Sequence, residues 1–490
     1  MFFNKKEKEN MKSVWDFFEE ITRIPRPSKK EEKMRAWLRS TAEAMGLESE
    51  EDEAGNVLIK KEASDGRERE DAVALQAHMD MVCEKEDNVS HNFETDAIAH
   101  HEEGGWIVSE GTTLGADDGI GIAIILSLLA DEELSHPRLE CLFTVDEETG
   151  LYGATNIRRG WLTAKTLINL DSEEEGEFVI GCAGGRDTLI EIEAENERVT
   201  NRQVMEIRIE GGMGGHSGED IDKGRANAIQ EMARLLGTLT EEGADIRLAE
   251  VNGGNLRNAI PRSCVARIGV TERDVPSVQD TVEQFAKDIK KHFAVEEKTL
   301  NLSVEHVSNA ETRFLTAECT TAVIQALARC PHGVLKMDEH VEGLVRTSTN
   351  LAAVHTHTTD HNTTLAIETS QRSSVEEEKT WASEETKKAF EGLNAKVETG
   401  KDYPGWEPDW DSLIIKRFER VWKELTGKEA RIKVIHAGLE CGVLKGSYKD
   451  MEMISVGPTM TGVHSPSERV EIASVERTRE AVARALAMND

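Results

Sequence analysis

The sequence predicts an α/β protein in which a mostly parallel sheet is interrupted by an inserted α+β domain. Short apolar segments alternate with helix-like segments over residues 1–186 and again over 401–490, which is typical of a parallel sheet covered by helices. Over residues 187–400, apolar and polar residues alternate instead, as in strands with one exposed face. A chain of 490 residues is also too long for one ordinary core.

The apolar patterns predict the elements of each part in turn. In the first part we expect helices at residues 12–22 and 30–45, and strands at 56–60, 72–77, 142–145 and 167–170. A further strand is expected at 453–456. The inserted domain is expected to contain strands at 203–210, 265–270, 301–307 and 363–369, and helices at 226–239 and 278–293. The charged stretch 374–388 is predicted to be a solvated helix.

Composition excludes several classes of partner. The formal net charge of −34 argues against nucleic acid and anionic membranes, because both require basic protein surface. No apolar run approaches the length of a membrane span, and residues 1–10 lack the apolar core of a signal peptide. The seven cysteines are scattered and form no CxxC pair, so we expect a reduced, cytoplasmic protein.

Metal-binding residue types follow the predicted strands of the first part. His78 and Asp80 follow one strand, Glu147 and Glu148 follow the next, and Asp171 follows a third. His464 comes shortly after the strand at 453–456. Because open α/β sheets bind ligands beyond the carboxyl ends of their strands, these side chains are expected to converge.

The stretch 111–119 places two adjacent acids before the apolar segment 120–130. Asp118 is predicted to cap the helix that follows, since a short acceptor satisfies free N–H groups there. Asp117 is then free to bridge two metal ions, as two-metal sites require of one carboxylate. In this arrangement His78 and Asp171 hold one ion, while Glu148 and His464 hold the other.

Imidazole and carboxylate ligands together suit zinc or a similar borderline metal. The adjacent Glu147 is free to take a proton from metal-bound water, and Asp80 is placed to accept the second ring N–H of His78. The bland alternative is that paired acids are helix caps or solvated surface. Four separate segments carry such residues at or shortly after the end of a predicted strand, and this repetition favours the metal site.

Two other features are set aside. His355, His357 and His361 alternate as on any exposed strand face, so they are predicted to face solvent. The glycine-rich stretch 211–215 lacks the GxxxxGK[ST] pattern of a phosphate-binding loop.

Several long motifs resemble a known family. The metal motifs of M20-family metallopeptidases are similar to AHMDMV (77–82), GADDG (115–119), DEETG (146–150), DSEEEG (171–176) and GVHSP (462–466). The aminoacyl-histidine dipeptidase (peptidase D, carnosinase-like) branch of that family is similar in GCAGG (181–185), LRNAIPR (256–262), YPGW (403–406) and HAGLECG (436–442). The resemblance runs from about residue 13 to the end of the chain.

This resemblance implies a catalytic domain (1–186 and 401–490) with an inserted lid domain (187–400), a cis peptide bond between Asp117 and Asp118, and substrate bound between the two domains. It implies roles for ten residues, which we state as expectations. The expected metal ligands are His78, Asp117, Glu148, Asp171 and His464. Glu147 is the expected general base, and Asp80 is the acid expected beside His78. His216 is expected to polarise the scissile carbonyl, and Asn258 and Arg372 to hold the substrate, Arg372 by the substrate's terminal carboxylate.

His216 and Arg372 have ordinary alternatives. A histidine among glycines is often a turn residue, and an arginine beside serines is most often on the surface.

The expected function is a cytosolic dinuclear-metal dipeptidase that hydrolyses Xaa-His and related dipeptides with a metal-activated water and a glutamate base. Two divalent ions are implied, zinc first and cobalt or manganese next, with a small peptide as substrate and a homodimer as the assembly. The alternatives are another M20-like activity, an N-acyl amino acid deacylase or aminotripeptidase, and a catalytically silent metal-binding or interaction protein. The presence of Glu147 argues against the silent alternative.

Overall fold

The computed structural model of the chain describes residues 12–308 and 312–488, so residues 1–10 lie outside the described part of the chain. Within these ranges the chain forms the following helices: α1 (Val14–Ile21), α2 (Glu32–Ala44), α3 (Ala116–Leu129), α4 (Tyr152–Thr155), α5 (Ala228–Glu241), α6 (Val275–His292), α7 (Ala317–Arg329), α8 (Glu376–Ala389), α9 (Leu413–Thr426), α10 (Glu440–Ser447) and α11 (Ile472–Ala487).

The strands of the described ranges are, in chain order, β1 (Glu48–Glu51), β2 (Val57–Lys61), β3 (Val73–His78), β4 (His100–Glu103), β5 (Trp106–Ser109), β6 (Leu139–Thr144), β7 (Thr166–Asn169), β8 (Glu177–Cys182), β9 (Gly184–Glu197), β10 (Arg202–Glu210), β11 (Ile246–Gly253), β12 (Cys264–Thr271), β13 (Asn301–Val307), β14 (Phe314–Leu315), β15 (Gly333–Met337), β16 (Val345–Thr358), β17 (Asn362–Ser373), β18 (Ala395–Tyr403), β19 (Arg431–Ile435), β20 (Glu452–Ser455), β21 (Met460–Thr461) and β22 (Arg469–Glu471).

Two compact units divide the chain between them. The first unit comprises Met1–Cys182, Trp406–Val434 and Leu439–Asp490, and the second comprises Ala183–Gly405 and Ile435–Gly438. The first unit is therefore discontinuous in sequence. The short segment Ile435–Gly438 belongs to the second unit, although it lies within residues 401–490.

The first unit is built on an eight-stranded sheet in the order β1-β2-β6-β3-β7-β20-β8-β19. Its central neighbours β6, β3, β7 and β20 pair in parallel, whereas β2 and β8 pair antiparallel with the strands on either side of this group. All residues of β3 and β6 are buried, as expected for strands covered on both faces. The α/β fold class is confirmed, with the parallel pairing concentrated at the centre of the sheet.

Helix α3 is the most buried helix element beside this sheet. Every one of its residues is buried, which is the pattern of a helix enclosed on all sides. Helix α1 lies against it and begins with a capping box, in which Ser13 and Asp16 satisfy each other's free backbone N–H groups. The apolar face of α1 consists of Val14, Phe17, Phe18 and Ile21. A small antiparallel sheet in the order β21-β22-β5-β4 completes the unit.

The second unit is built on a ten-stranded sheet whose neighbours pair antiparallel in the order β13-β10-β12-β11-β16-β17-β9-β14, with β15 beside β16 and β18 beside β9. The strands predicted at 203–210, 265–270, 301–307 and 363–369 are present as β10, β12, β13 and β17. Alternate residues of β9 are buried and exposed, so one face of this strand packs into the core.

Helix α8 corrects the prediction of a solvated helix at 374–388. Lys379 in this helix is fully buried, and its ammonium group lies 3.0 Å from both Glu376 and Asp402. It also donates a hydrogen bond to the carbonyl oxygen of Tyr403 at 2.5 Å. A buried charge of this kind needs such partners, and the sequence pattern alone does not reveal them.

A search of the helices in the described part of the chain finds none that is both long enough and apolar enough to cross a membrane.

Candidate metal centre and substrate-contacting residues

The predicted ligands of the first unit meet around the carboxylate of Asp117. His78 ends β3 and is buried, and its Nε2 lies 2.9 Å from Asp117 Oδ1 and 3.4 Å from Asp171 Oδ1. The Nε2 atom of His464 lies 3.0 Å from the other oxygen, Asp117 Oδ2, and 3.1 Å from Glu148 Oε2. The two oxygens of one carboxylate therefore face two different imidazoles.

Three groups of side chains in the described part of the chain have ligand atoms within 4.8 Å of one another: Asp117 with Glu148 and His464; His78 with Asp118 and Asp171; and His78 with Glu147 and Glu148. All five predicted metal ligands and the predicted base occur in these groups. Asp118, which the sequence analysis assigned to a helix cap, appears as an additional ligand candidate.

The donors fit divalent metal ions in chemistry as well as in spacing. Glu148 Oε1 and Asp118 Oδ1 are buried atoms without a hydrogen-bond partner among the described residues. Buried carboxylate oxygens without partners are costly, and a cation removes that cost. A set made only of imidazoles and carboxylates suits zinc and similar borderline ions.

The charges of the cluster shift the pKa values of its members strongly. Hydrogen bonds to Asp117 and Glu148 raise the pKa of His464 to about 11. Burial lowers the pKa of His78, but the carboxylates of Asp171 and Asp117 outweigh it and hold that pKa well above its usual value. Burial favours a higher pKa for Asp117, yet hydrogen bonds from both imidazoles bring it well below its usual range. The surrounding carboxylates therefore favour the protonated form of both imidazoles.

Glu147 differs from the ligands in its electrostatic setting. Burial raises its pKa well above the usual value, and the carboxylates of Asp171, Glu148 and Glu440 act in the same direction. A raised pKa suits a carboxylate that takes up a proton near neutral pH. Its neighbour Asp146 turns its own carboxylate toward Thr149, whose hydroxyl donates a hydrogen bond to it at 2.6 Å.

The prediction that Asp118 caps the following helix is wrong. Its Oδ2 accepts a hydrogen bond from the backbone N–H of His78 at 3.1 Å, and its Oδ1 has no hydrogen-bond partner among the described residues. A Cβ atom built on Gly121 would lie only 2.1 Å from this Oδ1 atom, so glycine makes room for the carboxylate. The peptide bond between Asp117 and Asp118 is cis, as the resemblance implies.

Asp80 joins two of the ligand-bearing segments. Its Oδ1 lies 3.3 Å from His78 Nδ1 and accepts a hydrogen bond from the N–H of Glu147 at 3.0 Å. Its Oδ2 accepts from the N–H of Glu148 at 3.2 Å and from the Ser28 hydroxyl at 2.8 Å. Asp80 therefore orients the His78 ring, leaving Nε2 toward Asp117, and holds the start of the loop that carries both glutamates.

Sequence analysis missed Glu468, which holds the turn before Asp117. This buried carboxylate accepts four backbone hydrogen bonds, from Leu114 at 2.7 Å, Gly115 at 3.0 Å, Ala116 at 2.8 Å and Asp117 at 3.2 Å. It lies four residues after His464 in a serine-rich segment that reads as exposed turn. Its partners are backbone groups, so no side-chain pattern marks it.

Arg26 is a second residue that sequence analysis missed. Its buried guanidinium donates to the carbonyl oxygens of Met79 at 2.9 Å and Asp80 at 2.7 Å, and also to that of Gly115. A Cβ atom on Gly119 would lie 2.6 Å from its Nη2 atom. Arg26 thus ties the segment after β3 to the turn that carries the two aspartates.

In the second unit, His216 lies half-buried on a loop that pairs with Ala259. Its Nδ1 accepts hydrogen bonds from the N–H groups of Gly218 at 3.3 Å and Glu219 at 3.2 Å. Burial lowers its pKa, with the nearby Arg372 acting in the same direction. The lowered pKa favours the neutral ring, in which Nδ1 accepts and Nε2 carries the proton, and Nε2 has no hydrogen-bond partner among the described residues.

Arg372 is a buried guanidinium without a carboxylate partner within ion-pair distance in the described ranges of the chain. It is 5% exposed, and its contacts are hydroxyl groups, that of Tyr403 at 3.2 Å and that of Ser217 at 3.4 Å. The ordinary alternative of a surface arginine therefore does not hold. Asn258 is exposed, and its backbone carbonyl oxygen accepts a hydrogen bond from the N–H of Ser217 at 2.8 Å.

The three histidines set aside earlier, His355, His357 and His361, are exposed, as predicted. None of them belongs to a metal-like group among the described residues.

The chain is similar to a known peptidase family and to several known proteins. A sequence model of peptidase family M20/M25/M40 matches residues 74–488. The chain is 40% identical over 463 residues to the cytosol non-specific dipeptidase of Escherichia coli strain K12, covering 94% of each chain. The crystal structure of aminoacylhistidine dipeptidase from Vibrio alginolyticus is similar with a TM-score of 0.88 and 36% identity, over 96% of each chain. Aminopeptidase PepT from Bacillus cereus has the same fold, with a TM-score of 0.62, 19% identity and 98% of each chain covered.

Proposed function

The chain belongs to peptidase family M20/M25/M40, and from this premise we propose that it is a dipeptidase with a centre of two divalent metal ions. The proposal rests on the Asp117 carboxylate, whose oxygens lie 2.9 Å from His78 Nε2 and 3.0 Å from His464 Nε2. Two ions about 3.5–4 Å apart require a shared ligand of this kind. Two similar proteins are named as dipeptidases, which supports a substrate of two residues.

In this proposal His78 and Asp171 would hold one ion, Glu148 and His464 would hold the other, and Asp117 would be a ligand of both. Zinc is the proposed metal, with cobalt and manganese as the alternatives, because the donors are imidazoles and carboxylates. When bound, the ions supply Lewis acidity toward the peptide carbonyl and lower the pKa of water.

Glu147 is proposed as the general base. Its raised pKa suits the uptake of a proton from the attacking water and its transfer to the departing amine. Asp80 is proposed to keep the His78 ring oriented, since its carboxylate faces the Nδ1 side of that ring.

The second unit is proposed to supply the contacts that recognise substrate. The Nε2–H of His216, which has no acceptor among the described residues, is suited to donate to the peptide carbonyl oxygen. Arg372 has the charge and the planar fork to bind a terminal carboxylate, and among the described residues its contacts are the neutral hydroxyl groups of Tyr403 and Ser217. Asn258 is proposed as a further substrate contact.

The name of the Vibrio alginolyticus protein favours Xaa-His dipeptides among the substrates, and that of the Escherichia coli protein favours a cytoplasmic location. A small peptide is the proposed partner of the chain. A homodimer stays a prediction from the resemblance.

The proposal is tested by assaying purified protein against Xaa-His dipeptides, other dipeptides, a tripeptide and N-acyl amino acids. We expect hydrolysis of dipeptides that a chelator abolishes and added Zn²⁺, Co²⁺ or Mn²⁺ restores. Preference for N-acyl amino acids or for the tripeptide would replace the dipeptidase assignment with the corresponding alternative. Turnover insensitive to chelation would contradict the metal centre, and no turnover of any substrate would favour a silent protein.

Glu147→Gln tests the base in particular. We expect kcat to fall by about 10²–10⁴-fold, the usual contribution of general acid–base catalysis, with metal still bound. Glu133→Gln, which changes an exposed glutamate of the same unit, is the control and is expected to leave kcat unchanged. Full activity in Glu147→Gln would contradict the assignment of the base.

A further inference from the structure

Glu440 is a fully buried carboxyl group that the proposed mechanism does not use. It is the first residue of α10, and its Oε2 accepts hydrogen bonds from Gln76 Nε2 at 2.6 Å and from the Thr144 hydroxyl at 2.7 Å. Its Oε1 has no hydrogen-bond partner in the described part of the chain. A buried carboxyl group with such partners needs a structural or functional reason.

Both donors to Glu440 lie on strands that lead into the metal centre. Gln76 is two residues before His78 on β3, and Thr144 is the last residue of β6, three residues before Glu147. Thr144 is the register partner of His78 in the parallel pair of β3 and β6. Glu440 therefore links two neighbouring strands at the end from which the ligands emerge.

The hydrogen bonds continue to the other two central strands. Gln76 Oε1 accepts from Asn169 Nδ2 at 2.6 Å, and Asn169 Oδ1 accepts from the Ser455 hydroxyl. Asn169 Oδ1 also accepts from the backbone N–H of Asp171 at 3.3 Å. One buried network thus joins all four parallel strands and reaches the backbone of a metal ligand.

Glu440 favours one orientation of this network. It accepts from the amide nitrogen of Gln76, which turns the amide oxygen toward Asn169. Without Glu440, the Gln76 amide nitrogen keeps only its hydrogen bond to the Thr144 hydroxyl at 3.2 Å, and that hydroxyl loses the acceptor at 2.7 Å, so both groups are free to reorient.

We propose that Glu440 is a positioning residue of the hydrolytic centre, which acts through Gln76 and Thr144 to hold the ligand-bearing strand ends in the geometry that binds metal. This inference rests on the proposed metal-dependent function. Burial also raises the pKa of Glu440 to about 7, against the opposing effect of His78. A neutral glutamine can therefore take its place, with its carbonyl oxygen where Oε2 accepts the two hydrogen bonds.

The test compares Glu440→Ala and Glu440→Gln with a matched control, Glu140→Ala. Glu140 is also a buried glutamate of the first unit, but it lies at the opposite end of β6 and accepts hydrogen bonds from the N–H groups of Thr163 at 2.7 Å and Ala164 at 3.0 Å. The measurements are Co²⁺ affinity, the visible absorption spectrum of the Co²⁺ protein, and kcat and KM for a dipeptide.

We expect Glu440→Ala to weaken Co²⁺ binding by about 10–100-fold, the usual effect of losing a group that orients ligands, and to alter the Co²⁺ spectrum. Its kcat at saturating Co²⁺ should fall while KM stays within about threefold. Glu440→Gln should recover Co²⁺ affinity and kcat to within about threefold of the unsubstituted protein. Glu140→Ala should lower the unfolding temperature and leave Co²⁺ affinity, spectrum and kcat unchanged.

Unchanged Co²⁺ affinity and spectrum in Glu440→Ala would overturn the inference, as would a Glu440→Gln protein as impaired as Glu440→Ala. If Glu440→Ala does not fold, Thr144→Val removes one of the two donors with little change in shape, and unchanged Co²⁺ affinity there would also overturn it. If the unsubstituted protein hydrolyses no dipeptide but Co²⁺ binding still depends on Glu440, the proposed function fails and the positioning role stands.

Discussion

Substitution of Glu468 by glutamine tests how the turn before Asp117 is held. One carboxylate oxygen accepts from the N–H groups of Leu114 and Gly115, and the other accepts from those of Ala116 and Asp117. An amide in place of the carboxylate presents a nitrogen to one of these pairs, so two buried N–H groups lose their acceptor.

The magnitude follows from the hydrogen bonds lost. A hydrogen bond to a charged acceptor contributes about 1.5–3 kcal/mol, and the gain from no longer burying a charge offsets part of the loss of two of them. Burial raises the pKa of Glu468, which indicates that this offset is real. We therefore expect a net destabilisation of about 2–4 kcal/mol, or a fall in Tm of roughly 4–16 °C for a domain of this size.

The assay is scanning calorimetry of the metal-free protein, together with competition against a chelator to measure metal affinity. Because the turn carries Asp117, we expect metal affinity to fall by about 10–100-fold as well. The control is Glu140→Gln, which weakens a similar set of hydrogen bonds at the far end of β6 and should lower Tm without affecting metal affinity. An unchanged Tm and an unchanged affinity in Glu468→Gln would refute this account of the turn.

Three further predictions concern the centre and the substrate contacts. Metal affinity should rise as pH is raised from 6 to 8, by about tenfold per pH unit for each proton displaced. The reason is that the pKa values of His464 (about 11) and His78 are raised, so a metal ion must displace their protons. An affinity independent of pH would contradict this. Gly121→Ala places a methyl carbon 2.1 Å from a carboxylate oxygen of Asp118 and should weaken metal binding by about tenfold or more. The control Gly237→Ala has no atom within 4 Å of the new carbon and should leave metal binding unchanged. Equal metal affinities in the two variants would contradict the steric argument. Arg372→Met should raise KM for dipeptides by about tenfold or more and leave KM for dipeptide amides unchanged, because only the dipeptides carry a terminal carboxylate. An equal rise in KM for both substrates would contradict carboxylate recognition.

The convergence of the ligands could be anticipated because it follows from strand geometry. The apolar runs that form β3, β6 and β7 are short and buried on both faces, so their carboxyl ends had to meet at one edge of the sheet. The residue types at those ends then indicated a metal. The structure brings the predicted side chains together, and their roles in catalysis remain our proposal.

The supporting residues could not be anticipated, because their partners are set by the tertiary fold. Glu468 and Arg26 bind backbone groups more than fifty residues away, and no local pattern separates them from surface charges. Asp118 has the residue type and position of a helix cap, yet the path of the chain directs its carboxylate to the N–H of His78. Lys379 lies in a segment whose charge density suggested solvent exposure, but its ammonium group is paired in the interior.

The hydrogen bonds between Glu468 and the turn before Asp117 have a consequence for biosynthesis. These residues are separated by 351 positions in the chain. At about 5–20 residues per second, a ribosome needs roughly 20–70 s to travel from one to the other. Throughout that interval the acidic turn lacks both its carboxylate anchor and the second histidine, so the nascent chain is unable to assemble the centre. The proposed centre is thereby withheld until residues 464 and 468 have been synthesised.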